Sequence, residues 1–410
     1  MLLLLPIGLL LAVDLYFFQL IKTVLIDSSD KLRWLIYGFY WSLSFITAIL
    51  LFASSDKNLF PTYVRYYIFS GLLVFLIPKL IGSLFLLGED IYRLGNGIAS
   101  VFGESNEQFM LDRRKFVSSA ALITASIPFA SMLYGMVRTG FNIRLRQTKI
   151  EFDDLPEAFD GLKIVQISDL HSGSFSNSNF FEEAVRKIND LKPDLIFFTG
   201  DLVNNEAIEA ERFVPTFKKL QASLGVYSIL GNHDYGDYGP WPSEAAKLDN
   251  FNRLKKIHSD SGWTLLTNDS QVLKKGDSEV AIVGVENWGG SRHFPRKGNL
   301  DKAVNSTKNI PFKILLSHDP SHWDAKILDH SQHFQLTLSG HTHGAQFGIE
   351  IPGFRWSPAQ YAYKQWAGLY EGKDGQKLYV NRGLGFIGYM GRIGIPPEIT
   401  LLELNSKKNS

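Results

Sequence analysis

The pattern of hydrophobic and polar positions changes near residue 140. Residues 1–140 are dominated by long apolar and aromatic runs, whereas residues 141–410 carry charges every few residues. A helix that crosses a bilayer needs about 20 mainly apolar residues. Three runs reach that length, at about residues 2–26, 34–53 and 63–87, and a fourth run at 116–137 is weaker and rich in small residues. The pattern therefore predicts a transmembrane helical region at 1–140, with these runs as its spans, followed by a soluble domain at 141–410.

The distribution of basic residues predicts the orientation of the spans, because cytoplasmic loops carry an excess of Lys and Arg. Most of the basic residues near the spans lie in the first and third loops: Lys22, Lys31, Arg33, Arg93, Arg113, Arg114 and Lys115. The second loop holds only Lys57 and Arg65. We therefore expect an integral, multi-pass protein of the cell (inner) membrane, with its soluble domain at 141–410 on the extracytoplasmic face. A further group of basic residues follows the last span, and it argues instead that the soluble domain lies on the cytoplasmic side.

The stretch "DRRKF" at 112–116 comes directly before the fourth apolar run. It resembles a twin-arginine export signal, although such signals lie at the N-terminus of a protein rather than behind three spans. The alternative is that these arginines form the basic flank of an ordinary helix.

Two charged residues fall well inside the predicted spans. Asp14 lies near the middle of the first span and Lys79 lies past the middle of the third, and because these helices run in the same direction the two depths are similar. Isolated charges are costly in hydrocarbon and usually pair or line a polar cavity. We hypothesise that Asp14 and Lys79 pair; the alternative is that each reaches water separately.

From residue 150 the chain consists of short apolar, β-rich runs separated by amphipathic stretches. The first three runs are "LKIVQIS", "DLIFFTG" and "GVYSILG", and the segments between them, "NFFEEAVRKINDLK" and "EAERFVPTFKKLQAS", have apolar residues at helical spacing. This alternation predicts mostly parallel strands buried between helices, with later strands forming a second sheet. The predicted fold class is thus α/β, with N-terminal transmembrane helices followed by a two-sheet α/β sandwich.

Five of the predicted strands end in residues that can bind metal ions. The segments are "DLH" at 169–171, "GD" at 200–201, "GNHD" at 231–234, "SHD" at 317–319 and "GHTHG" at 340–344. Because the ligand crevice of an α/β sheet lies beyond the carboxyl ends of its strands, these side chains should converge there. Glycines at 200, 231 and 340 would let the backbone turn sharply and approach the site. Any one segment taken alone fits an ordinary polar loop equally well.

Composition narrows the chemistry of this site. The 42 Lys and Arg residues balance 41 Asp and Glu residues, which argues against a general nucleic-acid binder, and the absence of cysteine excludes thiolate ligands, cysteine nucleophiles and disulfides. Carboxylate, imidazole and amide ligands suit divalent manganese, iron or zinc. Seven candidate ligands are too many for one tetrahedral site and suit two metal ions that share a carboxylate: Asp169, His171, Asp201, Asn232, His318, His341 and His343. Two such ions, about 3.5–4 Å apart, can hold the attacking and leaving oxygens of a phosphoryl displacement.

Taken together, "DLH…GDLVN…GNHD…SHDP…GHTHG" resembles the five-block signature of the calcineurin-like metallophosphoesterase superfamily, in a membrane-anchored bacterial type. The match covers about residues 160–390, and its blocks are weak singly but specific jointly. The resemblance implies that one ion is bound by Asp169, His171 and His343. It implies a second ion bound by Asn232, His318 and His341, with Asp201 bridging the two.

The resemblance also implies catalytic roles. His233 would be the acid close to the leaving-group oxygen, Asp234 would orient its imidazole, and a metal-bridging hydroxide would be the nucleophile. Arg382 in "YVNRGLG" is a candidate for contacting substrate phosphate with its planar guanidinium; the alternative is a structural hydrogen bond at the end of a strand. The remaining histidines are expected at the surface or in the core: His258, His293, His322, His330 and His333.

The five blocks do not choose between a phosphomonoester and a phosphodiester. Residues 352–395 are rich in aromatic residues and glycine, which is typical of an apolar channel wall or a membrane-facing surface, although packing as core and turns is an alternative. The transmembrane helices make the lipid bilayer a partner and favour a lipid-linked or other envelope phosphoester as substrate. No specific nucleic-acid or protein partner is evident.

Three hypotheses about function follow. The first is a membrane-anchored, dinuclear-metal phosphohydrolase that acts on a lipid or envelope substrate. The second is an anchored, broad-specificity phosphodiesterase that acts on soluble nucleotides. The third is a membrane sensor or scaffold with a structural metal site, although such a site needs neither an open coordination position nor an acid beside it.

Overall fold

The computed structural model of the chain describes residues 4–56, 59–99, 107–291 and 293–407. The chain divides into two compact units, Met1–Met136 and Val137–Ser410. The described part of the first unit is helical, and the second unit is a mixed α/β structure.

The first unit is built from four long helices in its described residues: α1 Leu4–Val24, α2 Asp30–Ser54, α3 Thr62–Ala99 and α4 Glu107–Val137. The first predicted span starts at residue 2, which lies outside the described residues. Within the residues that the structure describes, three segments are long and apolar enough to cross a membrane: Asp30–Ser54, Thr62–Ile98 and Leu111–Phe141. Large apolar side chains on these helices are exposed, such as Phe39 at 71% and Phe116 at 74%, as is normal where lipid replaces water. The chain is therefore a membrane protein.

The two charges inside the predicted spans form an ion pair, which confirms the hypothesis drawn from the sequence. The Lys79 ammonium contacts the Asp14 carboxylate, and both side chains are largely buried, at 13% and 16% exposure. Lys79 also donates a hydrogen bond to the Ser44 hydroxyl at 3.0 Å, and the Tyr40 hydroxyl donates to the Asp14 carbonyl at 2.9 Å. This polar cluster joins α1, α2 and α3, and it gives each charge the polar partners that lipid hydrocarbon cannot provide.

The two arginines of "DRRKF" lie inside α4 and bind acidic residues of α3. Arg113 donates to Glu89 at 2.7 Å, and Arg114 donates to Glu89 at 3.2 Å and to Asp90 at 3.0 Å. The Glu89 side chain is fully buried. Because these arginines are committed to ion pairs between helices, the structure favours the basic flank of a helix over an export signal.

The second unit contains two six-stranded sheets and a separate hairpin. The first sheet is formed by β1 Arg144–Phe152, β2 Leu162–Ile167, β3 Leu195–Phe198, β4 Val226–Ser228, β5 Thr264–Leu265 and β14 Glu398–Ser406. The second is formed by β6 Asp269–Lys275, β7 Ser278–Gly284, β8 Lys313–Leu316, β9 Leu336–Ser339, β12 Gly368–Glu371 and β13 Lys377–Val380. The hairpin consists of β10 Ile349–Ile351 and β11 Phe354–Trp356.

The strand orders are β1-β14-β2-β3-β4-β5 and β12-β13-β9-β8-β7-β6. The pairs β2–β3, β3–β4, β7–β8 and β8–β9 are parallel, so the carboxyl ends of these strands share an edge within each sheet. One hydrophobic cluster contains Ile164 and Leu195 of the first sheet together with Ile282, Ile314 and Leu338 of the second. The two sheets therefore pack face to face, which confirms the predicted α/β sandwich.

Helices cover the strands of this unit, at α5 Asn179–Asp190, α6 Ile208–Glu211, α7 Val214–Phe217, α8 Glu244–Asp260 and α9 Leu300–Ala303. The predicted helix between β2 and β3 is α5, whose buried residues recur at helical spacing. The predicted helix between β3 and β4 is instead split into α6 and α7. Pro215, at the start of α7, has no amide hydrogen to donate to the preceding turn, so it disfavours continuation of α6 and is well suited to the first turn of a new helix.

Candidate metal centre

All seven candidate ligands lie just beyond the carboxyl ends of parallel strands. Asp169 and His171 follow β2, Asp201 follows β3, and Asn232 follows β4. On the second sheet the histidines follow β8 and β9, as His318, His341 and His343. The structure brings these residues, which span 175 positions of sequence, to one place between the two sheets, where they fall into two groups.

The first group contains Asp169, His171 and His343, whose candidate ligand atoms all lie within 4.8 Å of one another. The Nε2 atoms of His171 and His343 are 3.0 Å apart, and Nε2 of His343 is 3.2 Å from Oδ1 of Asp169. All three side chains are buried. This group corresponds to the first metal ion implied by the resemblance.

The second group contains Asp201, His318 and His341, again with ligand atoms within 4.8 Å of one another. Nε2 of His318 lies 3.3 Å from Nδ1 of His341 and 3.2 Å from Oδ1 of Asn232. Oδ2 of Asp201 is 3.2 Å from Nε2 of His318 and 3.7 Å from Nε2 of His171 in the first group. Asp201 thus lies between the two groups, where a bridging carboxylate would be.

The backbone at these ligands adopts a conformation that side chains rarely occupy. Five ligands have positive φ: Asp169 (54°), His171 (46°), Asp201 (59°), His341 (71°) and His343 (51°). Left-handed backbone costs a non-glycine residue energy and is concentrated at functional sites. The strained turns aim these side chains away from the strands and into the site.

Two of the predicted glycines allow the close approach that the site requires. A β-carbon at Gly231 would collide with the carboxylate of Asp201, and one at Gly340 would collide with the carboxylate of Asp169. Larger residues at either position would displace a ligand. This confirms the prediction that glycine at these positions lets the backbone approach the site.

The donor set fits divalent metal ions. Lone pairs of buried imidazoles and carboxylates face one another within each group, and a cation is the species that satisfies such a set. The carbonyl of Thr199 accepts from Nδ1 of His318 at 2.7 Å, which directs Nε2 into the site, where a metal ion would take the place of its proton. Burial lowers the pKa of His318, but the carboxylates of Asp201 and Asp169 outweigh burial and raise it to about 10. The site therefore attracts positive charge.

Two tyrosines that were not predicted support the second group. The Asn232 amide nitrogen donates to the Tyr238 hydroxyl at 2.9 Å, which turns the amide oxygen toward His318. The Tyr363 hydroxyl lies 2.7 Å from Nε2 of His341, which turns Nδ1 into the site. Outer-shell partners of this kind fix ligand orientation. These tyrosines lie outside the five sequence blocks, and only the aromatic richness of residues 352–395 hinted at Tyr363.

The candidate acid, His233, is partly buried beside the ligands. Its ring centroid is 5.0 Å from that of His171 and 4.5 Å from that of Tyr238. Nδ1 of His233 lies 2.7 Å from the carbonyl oxygen of Asn204. Because a carbonyl can only accept, Nδ1 is the donor in this contact, and Nε2 is left available for proton transfer.

Asp234 has a different role from the one predicted. Its carboxylate accepts hydrogen bonds from the backbone N–H groups of Asp201 (2.9 Å), Leu202 (2.8 Å) and Gly231 (2.8 Å). The His233 imidazole is oriented instead by the carbonyl of Asn204. The prediction that Asp234 orients the imidazole was therefore wrong. The carboxylate instead ties the turn that follows β3 to the turn that follows β4, and these two turns carry Asp201 and Asn232.

Arg382 has a structural role, which was the alternative to phosphate binding in the sequence analysis. Its side chain is 2% exposed, and its guanidinium pairs with Glu398 at 2.6 Å and with Glu350 at 2.7 Å. Of the remaining histidines, His258 and His322 are buried, whereas His293 is exposed and His330 and His333 are partly buried. Neither metal-ligand group contains any of these five histidines.

The aromatic segment 352–395 is divided between the core and the surface. Trp366, Phe386 and Ile395 are buried, whereas Phe354 and Tyr361 are 52% and 78% exposed. The interpretation as core holds for the buried residues, and a channel wall or membrane-facing surface stays a prediction for the exposed ones.

Two models of known protein families match this chain. Residues 162–345 match the family model described as calcineurin-like phosphoesterase. Residues 1–140 match a model described as probable calcineurin-like phosphoesterase, transmembrane domain.

Three relatives illustrate the range of the similarity. An uncharacterized metallophosphoesterase of Bacillus subtilis is 31% identical over 304 residues, which cover 72% of this chain and 98% of the relative. An uncharacterized metallophosphoesterase of Campylobacter jejuni is 26% identical over 374 residues, 90% of this chain and 91% of the relative. The UDP-2,3-diacylglucosamine pyrophosphatase LpxG of Chlamydia trachomatis is 30% identical over 312 residues, 63% of this chain and 89% of the relative.

Proposed function

This chain belongs to the calcineurin-like metallophosphoesterase family and is a metal-dependent hydrolase of phosphoric esters, and we propose that it is a membrane-anchored, two-metal enzyme that acts on a lipid or envelope phosphoester. The observation that supports the two-metal part is the position of Asp201, whose Oδ2 lies within 3.7 Å of ligands in both groups. Two divalent ions would supply an activated water and stabilise negative charge on the phosphoryl group.

The residues of this chain divide the work of binding. Asp169, His171 and His343 would hold one ion, and Asn232, His318 and His341 would hold the other, with Asp201 shared. The donor set suits manganese, iron or zinc. Thr199, Tyr238 and Tyr363 fix the orientations of the ligands at the second ion through their hydrogen bonds.

His233 would deliver the proton that the leaving group needs. Its Nδ1 hydrogen bond to the Asn204 carbonyl holds the ring in place and leaves Nε2 to transfer a proton to the departing oxygen. The backbone N–H of His233 donates to Oδ1 of Asp201 at 2.8 Å, so the acid is held in register with the shared ligand. A sensor or scaffold with a structural metal site would need no such acid.

A lipid or envelope substrate is supported by the membrane helices and by one relative. LpxG of Chlamydia trachomatis is named a UDP-2,3-diacylglucosamine pyrophosphatase, so its named substrate is a diphosphate that joins a nucleotide to an acylated sugar. We extend one feature of that substrate, a phosphate group attached to an acylated molecule, to the present chain. The excess of basic residues in the first and third loops supports a position of the catalytic unit on the extracytoplasmic face of the inner membrane, and this position is part of the proposal.

Hydrolysis by the full-length protein in detergent micelles tests this function. We expect Mn²⁺-dependent release of nitrophenol from bis(nitrophenyl) phosphate or nitrophenyl phosphate, and faster turnover of a diphosphate-linked glycolipid than of a soluble nucleotide diester. Asp201→Asn serves as the blank, and Asp277→Asn, in an exposed turn, is the matched control. Turnover of soluble nucleotides alone would replace the lipid proposal with an anchored nucleotide phosphodiesterase. No turnover at all with two metal ions bound would favour the sensor hypothesis.

A further inference from the structure

The β10–β11 hairpin carries an exposed apolar surface. Its members, with their exposed fractions, are Phe347 (43%), Ile349 (49%), Ile351 (58%), Phe354 (52%) and Tyr361 (78%). We call this set the apolar hairpin surface. Contiguous exposed apolar groups of this kind mark sites of interaction with another apolar body.

The hairpin is turned so that its apolar side faces outward and its charged side faces the protein. The register pairs Ile349 with Trp356, Glu350 with Arg355, and Ile351 with Phe354. Side chains of directly opposed residues lie on the same side of a hairpin, so the first and third pairs share one face and the charged pair lies on the other.

The charged face is committed to contacts within the protein. Glu350 binds Arg382 at 2.7 Å, and the Arg355 guanidinium donates to the carbonyl of Ala367 at 2.6 Å. A hairpin that faces water would show the opposite arrangement, with its apolar side chains inward. The surroundings of the outer face are therefore expected to be apolar.

The hairpin is attached to the metal centre at both ends. Consecutive Cα atoms are 3.8 Å apart, so Phe347 lies within roughly 15 Å of His343. The Ser357 hydroxyl, directly after β11, donates to the carbonyl of Gly344 at 2.7 Å, and Tyr363 contacts His341 at 2.7 Å. A molecule that rests its hydrocarbon on the apolar hairpin surface would have its head group near the ligands.

The bilayer is the apolar body next to this chain, because three of the helices in its described part are long and apolar enough to cross a membrane. Branched aliphatic residues together with Phe, Tyr and Trp are the composition of segments that insert at the boundary between head groups and acyl chains. We propose that the apolar hairpin surface inserts into the membrane interface and presents the metal centre to phosphoesters of lipid head groups. The substrate part of this proposal rests on the proposed function above.

Site-specific labelling can test the insertion directly, because the chain has no cysteine. An environment-sensitive fluorophore is attached at Phe354→Cys or Tyr361→Cys in full-length protein reconstituted into phosphatidylcholine and phosphatidylglycerol vesicles. The matched control is Asp277→Cys, in the exposed turn between β6 and β7. We expect the labels at 354 and 361 to be quenched by nitroxide on lipid acyl chains and shielded from aqueous iodide, with the reverse at 277.

Two results would overturn the insertion. Iodide access at 354 and 361 equal to that at 277 would show that the surface lies in water. Shielding from both quenchers would show that protein, either a second copy or another part of the chain, covers it.

A kinetic comparison tests the link to substrate. Phosphatidylumbelliferone in vesicles and the soluble methyl umbelliferyl phosphodiester share one leaving group, so their rate ratio isolates presentation of the lipid. We expect Ile351→Ser/Phe354→Ser to lower the lipid-to-soluble ratio about tenfold or more, and an unchanged ratio would refute the link. Failure of wild-type protein to hydrolyse either ester would refute the proposed function instead, and the labelling result would still decide membrane insertion.

Discussion

The Nε2 atoms of His171 and His343 lie 3.0 Å apart, and both rings are buried next to the carboxylate of Asp169. Burial and the neighbouring His343 hold the pKa of His171 well below its ordinary value, so this ring is neutral and can offer a lone pair. A cation between these groups turns an unfavourable arrangement of lone pairs into a set of bonds. The folded state should therefore depend on metal.

Removal of metal is expected to destabilise the second unit. An ion that binds the folded state at 100 to 1,000 times its dissociation constant stabilises that state by about 3–4 kcal/mol. Thermal unfolding of the detergent-solubilised protein, followed with excess EDTA and then with added Mn²⁺, measures this effect. We expect a lower Tm with EDTA that recovers on addition of Mn²⁺. The same Tm under both conditions would show that the ligands are not holding metal.

Replacement of His233 by Ala should slow catalysis without removing metal. A general acid contributes about 10²–10⁴-fold, and the contribution is greatest for poor leaving groups. The measurement compares kcat on a nitrophenyl ester and on an alkyl ester, together with metal content. We expect the loss of kcat to depend on the leaving group: a small loss on the nitrophenyl ester and a large loss on the alkyl ester. Loss of metal in this variant would show that His233 is a ligand.

Replacement of Asp234 by Asn should act through the backbone rather than through the acid. The Asn amide group would oppose two of the N–H donors that the carboxylate now accepts, at a cost of about 3 kcal/mol. Because those donors belong to the turns that carry Asp201 and Asn232, we expect a lower Tm and weaker Mn²⁺ binding. Asp277→Asn is the control. Full stability and metal affinity with a changed pH profile would restore the role in orienting His233.

Separation of the Asp14–Lys79 pair should destabilise the membrane unit. Removal of one partner leaves a buried charge without compensation, at a cost of about 3 kcal/mol, whereas removal of both can be nearly neutral. We expect Asp14→Asn and Lys79→Met each to lower the Tm in detergent and the double variant to recover much of the loss. Lys115→Met, at a more exposed pair with Asp27, is the control and should change little. A double variant no more stable than the worse single variant would argue against the pair.

The convergence of the candidate ligands could be predicted from the sequence because each one follows a strand of recognisable pattern. Once "LKIVQIS" and "FQLTLSG" are taken as strands of parallel sheets, Asp169 and His341 must lie just beyond the carboxyl ends of these strands. The chemistry of the side chains then limits what they can bind. The Asp14–Lys79 pair was predictable for a similar reason, since depth along a helix follows from residue number.

Contacts that depend on loop packing were not predictable. The partner of His233 is the carbonyl of Asn204, and a backbone carbonyl carries no signal in the sequence. Tyr238 and Tyr363 reach the site through loops whose course no periodicity describes. In the three-residue strand β10 the alternation of apolar and polar residues is too short to predict which face points inward. The inward face is identified by the contact of Glu350 with Arg382, which is distant in sequence.

Metal content and activity of the full-length protein and of Asp201→Asn, measured on the same samples, test the two-metal proposal most directly. We expect two metal ions per chain and Mn²⁺-dependent phosphodiesterase activity in the wild type and in Asp277→Asn. In Asp201→Asn we expect fewer ions and a loss of activity of more than about 100-fold, since even changes to outer-shell groups cost 10–100-fold. A fully active wild-type chain with one ion, or an active Asp201→Asn variant, would contradict the shared-carboxylate centre.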